Sequence, residues 1–132
     1  LKIIGEREGF LTGMKAEQLD HDGVIFTGRL SDEDLLREIA SASFLVQPSL
    51  YEGFGLPPLE ALYLGTQPIV SDIPVFKEVY GDLPVIFFKT GDAEDLKNKI
   101  VQCDVKMIES YSLDLQEFSY NHFVISMMRK LK

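Results

Sequence analysis

The fold is decided by residues 48–60, which read PSLYEGFGLPPLE. An apolar run with strand character precedes this stretch at residues 43–47, and apolar residues recur at helical spacing after it as far as Gly65. Gly53 and Gly55 therefore fall in a strand-to-helix turn, and Pro57 and Pro58 open the helix. Because the first N–H groups of a helix lack partners and its dipole is positive there, this turn favours an anion.

Two glutamates, Glu52 and Glu60, bracket the turn with seven residues between them. Each has an ordinary explanation: Glu52 as a solvated loop acid, and Glu60 as an acid placed by the helix dipole, since a helix that begins near Pro57 has Glu60 in its first turn. Two carboxylates beside an anion repel it unless they face other groups. A nucleotide sugar satisfies this layout, because it carries hydroxyls on both sides of its diphosphate. The combination with the glycines favours such a ligand.

The rest of the chain alternates strands and helices. Strands are predicted at residues 1–5, 24–26, 44–48, 67–71 and 84–88, and helices at 32–42, 57–64, 74–78 and 93–103. The helix at 93–103 is expected to turn Leu96, Ile100 and Val101 inward, and a long C-terminal helix is predicted at 115–131. Since no hairpin signal interrupts the alternation, the sequence predicts an α/β fold with a Rossmann-like, doubly wound parallel sheet.

Composition narrows the class of protein further. The 132 residues are 45% hydrophobic, which predicts a single domain of ordinary size. A net charge of −8 argues against nucleic acid as a partner. The lone cysteine excludes an internal disulfide and is compatible with a reducing cytoplasm. No apolar run approaches the length of a membrane span, and no His/Cys/Asp cluster indicates a metal.

At residues 52–60 the sequence resembles the retaining glycosyltransferases of GT-B fold, family 4, whose E-x7-E element has this spacing. The resemblance extends to residues 24–35, 48–49, 70–74, 78–79 and 91–92, which follow in the family's order. It covers nearly the whole chain. It implies the C-terminal, nucleotide-sugar-binding domain of such an enzyme, residues 1–132.

The resemblance also implies roles for particular residues. Glu60 would accept hydrogen bonds from the ribose, and Glu52 would lie beside the donor sugar as the catalytic residue, supporting an oxocarbenium-like centre. The backbone contacts to sugar and diphosphate would come from Gly53, Phe54, Gly55 and Leu56. The base would rest near Leu30, with Arg29 as a neighbour. Ser49 and Tyr51 are expected to shape the loop rather than touch the ligand.

One departure from the family concerns the diphosphate. The family places an arginine and a lysine after the first strand of this domain, and residues 28–31 only superficially resemble that element, since Asp32, Glu33 and Asp34 stand where a lysine would follow. We therefore expect the first strand with its cation loop, and the acceptor-binding N-terminal domain, to lie upstream of Leu1. We expect no transferase activity from these 132 residues alone.

The implied reaction is metal-independent, retaining transfer from a nucleotide-diphosphate sugar to a hydroxyl of a polysaccharide or glycolipid. The loop composition favours GDP-mannose slightly. The enzyme is expected in the cytoplasm, with peripheral association at the inner face of the membrane as an option for the full-length protein.

Three other readings compete with this reaction. A non-catalytic nucleotide-sugar or protein-binding module is the principal alternative, although the intact glutamates and glycines argue against degeneration. A second is another doubly wound domain, such as a receiver or flavodoxin-like signalling domain; a receiver needs an acidic cluster near the end of its first strand and a phosphorylatable Asp after its third, and this sequence has neither. The third keeps the GT-B fold but carries out epimerisation or phosphorolysis; a phosphorylase of the glycogen type would need a pyridoxal-binding lysine in a supporting context, which neither Lys77 nor Lys89 has.

Overall fold

A computed structural model describes residues 1–6 and 22–103 of the chain. Backbone contacts divide the protein into two compact units, Leu1–Glu38 and Ile39–Lys132. Each unit has its own parallel sheet, so the predicted α/β fold with parallel strands is confirmed. The C-terminal helix predicted at 115–131 lies outside the described residues, and the single-domain organisation stays a prediction.

The first unit contains a two-stranded parallel sheet. Strand β1 (Lys2–Ile3) pairs with β2 (Ile25–Phe26), and an antiparallel bridge joins Gly5 to Gly28 just beyond them. Helix α1 (Asp32–Ser41) follows, and the division between the units falls inside it. Ser31 caps its start, which is half of the predicted capping box: the Ser31 hydroxyl accepts the Asp34 N–H at 3.2 Å. The Asp34 carboxylate accepts the Ser31 hydroxyl at 2.7 Å rather than the Ser31 backbone N–H.

The second unit is a three-stranded parallel sheet with helical connections. Its elements are β3 (Phe44–Gln47), α2 (Leu56–Tyr63), β4 (Gln67–Ser71), α3 (Pro74–Tyr80), β5 (Ile86–Phe88) and α4 (Ala93–Gln102). The strands lie in the order β3-β4-β5, so β4 is central. Parallel neighbours require a crossover connection, which α2 and α3 supply.

The core lies under the central strand. Ile69, Val70 and Ser71 of β4 are fully buried, and a cluster of apolar side chains packs with this strand. The cluster comprises Leu59, Val70, Ile73, Phe76 and Tyr80. Full burial of one large apolar side chain contributes about 1.5–3 kcal/mol. Because Phe76 and Tyr80 both come from α3, this short helix is strongly fixed to the sheet.

Helix α2 ends where the sequence predicts. Leu64 follows its last residue, and Gly65 adopts φ +79°, a left-handed conformation that favours glycine. The Thr66 N–H donates to the Ala61 carbonyl at 2.8 Å and the Gly65 N–H to the Leu62 carbonyl at 3.3 Å. These two bonds form a Schellman motif, which satisfies carbonyls that the helix leaves unpaired.

Helix α4 also lies where predicted, but fewer of its apolar side chains face inward than the sequence predicts. The Asp92 side chain caps it by accepting the Asp95 N–H at 3.0 Å. Leu96 is half-buried, Ile100 is 36% exposed and Val101 is 75% exposed, so the prediction that Val101 faces inward is wrong. Each helical residue turns about 100°, which puts Val101 about 140° round the helix from Leu96.

Candidate functional site

The candidate site is the turn that leaves β3 and enters α2. Residues 48–55 form this turn at the carboxyl end of β3, the edge at which open α/β sheets bind ligands. Gly55 immediately precedes α2 and adopts φ +76° and ψ +75°. The helix then begins at Leu56, one residue before Pro57. We call residues 48–56 the glutamate loop.

The helix start limits which backbone groups remain for a ligand. Pro57 and Pro58 carry no N–H, so the free donors of the first turn are those of Gly55 and Leu56. Among the residues that the structure describes, neither group has a hydrogen-bond partner, nor do the N–H groups of Gly53 and Phe54. Four consecutive backbone donors are therefore available at this end of the sheet.

Glu60 lies deeper in the helix than predicted. The first turn of α2 contains no acidic residue, so the expectation that Glu60 lies there is wrong. The left-handed Gly55 brings the chain into helical geometry one residue early and moves Glu60 to the second turn. Since the dipole effect falls off within the first turn, dipole compensation explains Glu60 less well than the sequence suggests.

The two glycines of the loop differ in what requires them. A Cβ on Gly55 would lie 2.4 Å from the ring of Phe76, and its φ is positive. The fold itself therefore demands glycine at this position. Gly53 has no positive φ, and a Cβ there would meet nothing within 4 Å. The protein's own packing does not explain Gly53, which leaves open space over the loop.

Helix α3 supports the loop from below. The Tyr80 hydroxyl donates a hydrogen bond to the Gly55 carbonyl, while the Phe76 ring fills the space beneath the same residue. Burial of Tyr80 raises its pKa well above the ordinary value, and the nearby carboxylates of Glu52 and Glu60 raise it further. The hydroxyl therefore stays protonated and a donor. The structure thus brings both glutamates, the loop and Tyr80 together.

Glu52 is held through one carboxylate oxygen. Its Oε1 accepts the Ser49 hydroxyl at 2.8 Å and the Gln47 side-chain amide at 3.0 Å, and Gln47 also donates to Ser49 Oγ at 3.0 Å. These bonds join Ser49 to Glu52, and the expectation that Ser49 shapes the loop rather than touches the ligand stays a prediction. Within residues 1–6 and 22–103, Oε2 accepts no hydrogen bond and no cation pairs with Glu52. One oxygen therefore remains available to a ligand.

The turn after β4 carries a second acid, Asp72, with different surroundings. Its Oδ1 accepts the Thr90 N–H at 2.9 Å and the Thr90 hydroxyl at 2.8 Å, and its Oδ2 accepts from Lys77 Nζ at 2.9 Å. The Lys77 hydrogen bond, followed by those from Thr90, lowers the pKa of Asp72 far below its usual range. Both oxygens are occupied, so Asp72 joins the ends of β4 and β5 rather than offering a ligand site.

The predicted base-binding residues lie in the first unit. Arg29 and Leu30 follow β2, directly after Gly28, which adopts φ +68°. Arg29 is exposed and Leu30 is half-buried. The glutamate loop belongs to the second unit, and the assignment of Arg29 and Leu30 to the base stays a prediction.

Sequence reasoning missed the side chains that hold the loop. Gln47 ends an apolar run, Phe76 lies in the helix predicted at 74–78, and Tyr80 falls beyond the predicted end of that helix, which α3 extends to Tyr80. Their i, i+4 spacing in α3 is a signal of a shared face, but nothing in the sequence shows that this face meets Gly55. Tyr51 is 89% exposed beside Glu52.

The described part of the chain contains neither a metal-ligand cluster nor a membrane-spanning helix. No group of three or more His, Cys, Asp or Glu side chains in residues 1–6 and 22–103 is arranged to hold a metal ion. Over the same ranges, every helix is too short or too polar to cross a bilayer.

Fold and loop together define an α/β protein with a candidate ligand site at the carboxyl edge of a parallel sheet. The chain belongs to the group 1 glycosyl transferases, because the sequence profile of that family matches residues 1–103. Membership places the glutamate loop in a family of sugar-transferring enzymes.

Several curated relatives are mannosyltransferases by name. The chain is 40% identical over 79 residues to the serotype-specific mannosyltransferase WbdA of Escherichia coli, covering 60% of this chain and 10% of that protein. It is 50% identical over 58 residues to the O-antigen chain mannosyltransferase RfbU of Salmonella typhimurium, covering 44% of this chain and 16% of that protein. The MMP alpha-(1->4)-mannosyltransferase of Mycolicibacterium hassiacum is 48% identical over 52 residues, which cover 39% of this chain and 13% of that protein. The matched part is thus a small fraction of each relative.

Proposed function

We propose that this chain is the donor-binding, C-terminal domain of a retaining glycosyltransferase of GT-B fold, family 4. The full-length enzyme would transfer a sugar from a nucleotide diphosphate to a hydroxyl of a growing polysaccharide or glycolipid. The observation that carries the proposal is the pairing of a half-satisfied carboxylate with free backbone donors: Glu52 Oε2 is open, and the N–H groups of Gly53–Leu56 have no partner among the described residues.

The proposed division of labour follows from the chemistry of these groups. The loop N–H groups would contact the sugar and diphosphate, where negative charge grows as the leaving group departs. Glu52 would lie at the donor sugar and stabilise an oxocarbenium-like centre, and Glu60 would accept hydrogen bonds from the ribose. The base would rest near Leu30, with Arg29 as a neighbour. In this scheme the protein's own donors and cations carry the diphosphate charge, and no metal is required.

The donor we favour is GDP-mannose. Support comes from the loop sequence and from the word mannosyltransferase in the names of relatives that share 40–50% of aligned residues with this chain. We place the reaction in the cytoplasm, at the inner face of the membrane if the acceptor is lipid-linked.

The test is to titrate the protein with GDP-, UDP- and ADP-sugars and to monitor binding through the NMR signals of the ligand. We expect one nucleotide class to bind, and Glu60→Ala to weaken binding by about tenfold, the effect of losing a charge-assisted hydrogen bond. Glu94→Ala is the matched control, since Glu94 is an exposed glutamate in the first turn of α4. Equal binding by wild type and Glu60→Ala would contradict the ribose assignment.

The full-length protein should then transfer the sugar of the donor that binds, with retention at the anomeric carbon, whereas residues 1–132 alone should not. Binding without transfer by the full-length protein would favour the alternative function, a non-catalytic nucleotide-sugar-binding module. Absence of binding to every donor in the full-length protein would overturn the proposal.

A further inference from the structure

Gln47, Ser49 and Glu52 form a closed triangle of hydrogen bonds. The two N–H groups of the Gln47 amide go to Ser49 Oγ and Glu52 Oε1, both at 3.0 Å, and the Ser49 hydroxyl goes to Glu52 Oε1 at 2.8 Å. The Ser49 hydroxyl accepts one hydrogen bond and donates its only proton to the carboxylate. In every bond of the triangle a donor therefore faces an acceptor: the Gln47 amide donates, Ser49 both accepts and donates, and the Glu52 carboxylate accepts.

Both donors are tied to the sheet. Gln47 is the last residue of β3 and pairs with Val70 of β4. The carbonyl of Ser49 accepts the hydroxyl of the fully buried Ser71, the last residue of β4, at 2.5 Å. These hydrogen bonds are partly buried, and a connected network of this kind restrains the side chains that it joins. The triangle thus transmits the rigidity of the central strand to a loop side chain.

We propose that Gln47 and Ser49 are positioning residues for Glu52. They occupy Oε1, fix the side-chain torsions of the glutamate and direct Oε2 at the donor sugar. This inference rests on the proposed function, in which Glu52 faces the sugar. A reacting group must be held close to its productive geometry, and a displacement of about 1 Å costs up to about a hundredfold in rate. A glutamate side chain without these bonds would lose conformational entropy each time it adopted the reactive orientation.

The experiment compares Gln47→Leu, which keeps the side-chain volume and removes both donors, with Gln67→Leu in the full-length protein. Gln67 is the matched control because it is the register partner of Phe44 at the opposite end of the sheet, where its amide donates to the Pro84 carbonyl at 2.8 Å. Gln47→Leu should lower kcat about tenfold with a change in donor KM below about twofold, while Gln67→Leu leaves both constants unchanged.

A double-mutant cycle separates positioning from a general effect on folding. In a Glu52→Gln background, Gln47→Leu should cause no further loss of kcat, since the carboxylate that it positions is gone. Ser49→Ala should resemble Gln47→Leu, and Ser49→Thr, which keeps the hydroxyl, should restore activity. Additive losses in the cycle, or a rise in KM with kcat unchanged, would overturn the inference.

A structural readout keeps the two proposals distinguishable. If the wild-type protein transfers sugar from no donor, the proposed function fails, yet crystal structures of wild type and Gln47→Leu still decide the positioning role. In the variant, Glu52 should leave the place it holds beside Ser49. A Glu52 side chain that keeps its position without the Gln47 amide would refute the inference regardless of activity.

Discussion

Two turns leave the carboxyl edge of the three-stranded sheet side by side, and each carries one acid. Asp72, after β4, accepts three hydrogen bonds over its two oxygens, one of them from the cation of Lys77. Glu52, after β3, accepts two at a single oxygen, and no cation of the described residues pairs with it. The carboxylates occupy similar places in the fold and differ in what remains unsatisfied.

Hydrogen-bond saturation distinguishes a structural acid from an acid that is available to a ligand. A carboxylate that is fully hydrogen-bonded and neutralised has nothing left to offer, and its removal should cost stability. A carboxylate that is held rigidly but only half satisfied has its orientation fixed and its second oxygen unused. Substitution of each acid should therefore affect a different property of the protein.

Glu52→Gln should abolish most activity with little effect on stability. We expect transfer by the full-length protein to fall by about a hundredfold or more, because loss of a preorganised electrostatic contact costs about 3–4 kcal/mol in the transition state. The free energy of unfolding should change by less than about 1 kcal/mol. Steady-state kinetics and urea titration measure the two quantities.

Asp72→Asn is the matched acid-to-amide change on the neighbouring turn. It should lower the melting temperature while leaving kcat within about twofold of wild type. If the two variants exchanged these phenotypes, the distinction between the turns would be wrong.

Substitution of Gly55 and of Gly53 should distinguish a glycine required by packing from one that leaves room for a ligand. Gly55→Ala places a Cβ against the Phe76 ring at a left-handed φ, which we expect to destabilise the protein by about 2–4 kcal/mol. Gly53→Ala meets open space and should leave stability within about 1 kcal/mol. Thermal unfolding of both variants gives the comparison.

If the open space over Gly53 is where the donor approaches, Gly53→Ala should also weaken binding of the nucleotide sugar. Unchanged affinity in a normally folded Gly53→Ala protein would place the donor elsewhere.

Tyr80→Phe tests whether α3 holds the glutamate loop. The substitution removes only the hydroxyl that donates to the Gly55 carbonyl, and it leaves that acceptor unpaired. We expect a loss of about 1–3 kcal/mol in unfolding free energy, measured by chemical denaturation. Tyr63→Phe, on the half-buried part of α2, is a comparison for loss of a tyrosine hydroxyl elsewhere. A Tyr80→Phe protein as stable as wild type would show that the loop does not need this bond.

The smallest effect concerns pH. The folded-state pKa of Asp72 is lowered, so its bonds contribute stability above the unfolded pKa of about 4, and that contribution is lost as the pH falls toward the folded value. The difference in melting temperature between wild type and Asp72→Asn should therefore be largest at neutral pH and shrink below about pH 4. A difference that grew on acidification would contradict this sign.

Much of the second unit was predictable from local sequence. Residues 43–47 and 67–71 are apolar runs bounded by turn residues. The helices that follow them, α2 and α3, have proline in their first two positions and glycine just beyond their ends, signals that depend only on neighbouring backbone. The N-caps at Ser31 and Asp92 are local for the same reason. The spacing of Glu52 and Glu60 marked the candidate site.

Long-range contacts explain where local reasoning failed. Val101 has an apolar side chain but does not face the sheet. The side of α4 that packs against the sheet depends on how the helix docks, which the local sequence does not specify. The start of α2 depends on the conformation of Gly55, which Phe76 and Tyr80 determine from a helix more than 20 residues away. Helical periodicity alone could place Glu60 only to within a turn.

The sequence by itself determined the α/β class, the order of the elements and the acid-flanked turn, because these follow from hydrophobic periodicity, capping and turn residues. Tertiary structure alone decided that Gly55 must be glycine while Gly53 need not be, and that Gln47 and Ser49 leave Glu52 one open oxygen. It also decided that Asp72 is fully engaged. These properties arise where β3, β4, β5 and α3 meet, and no local pattern records which side chains face one another across a sheet.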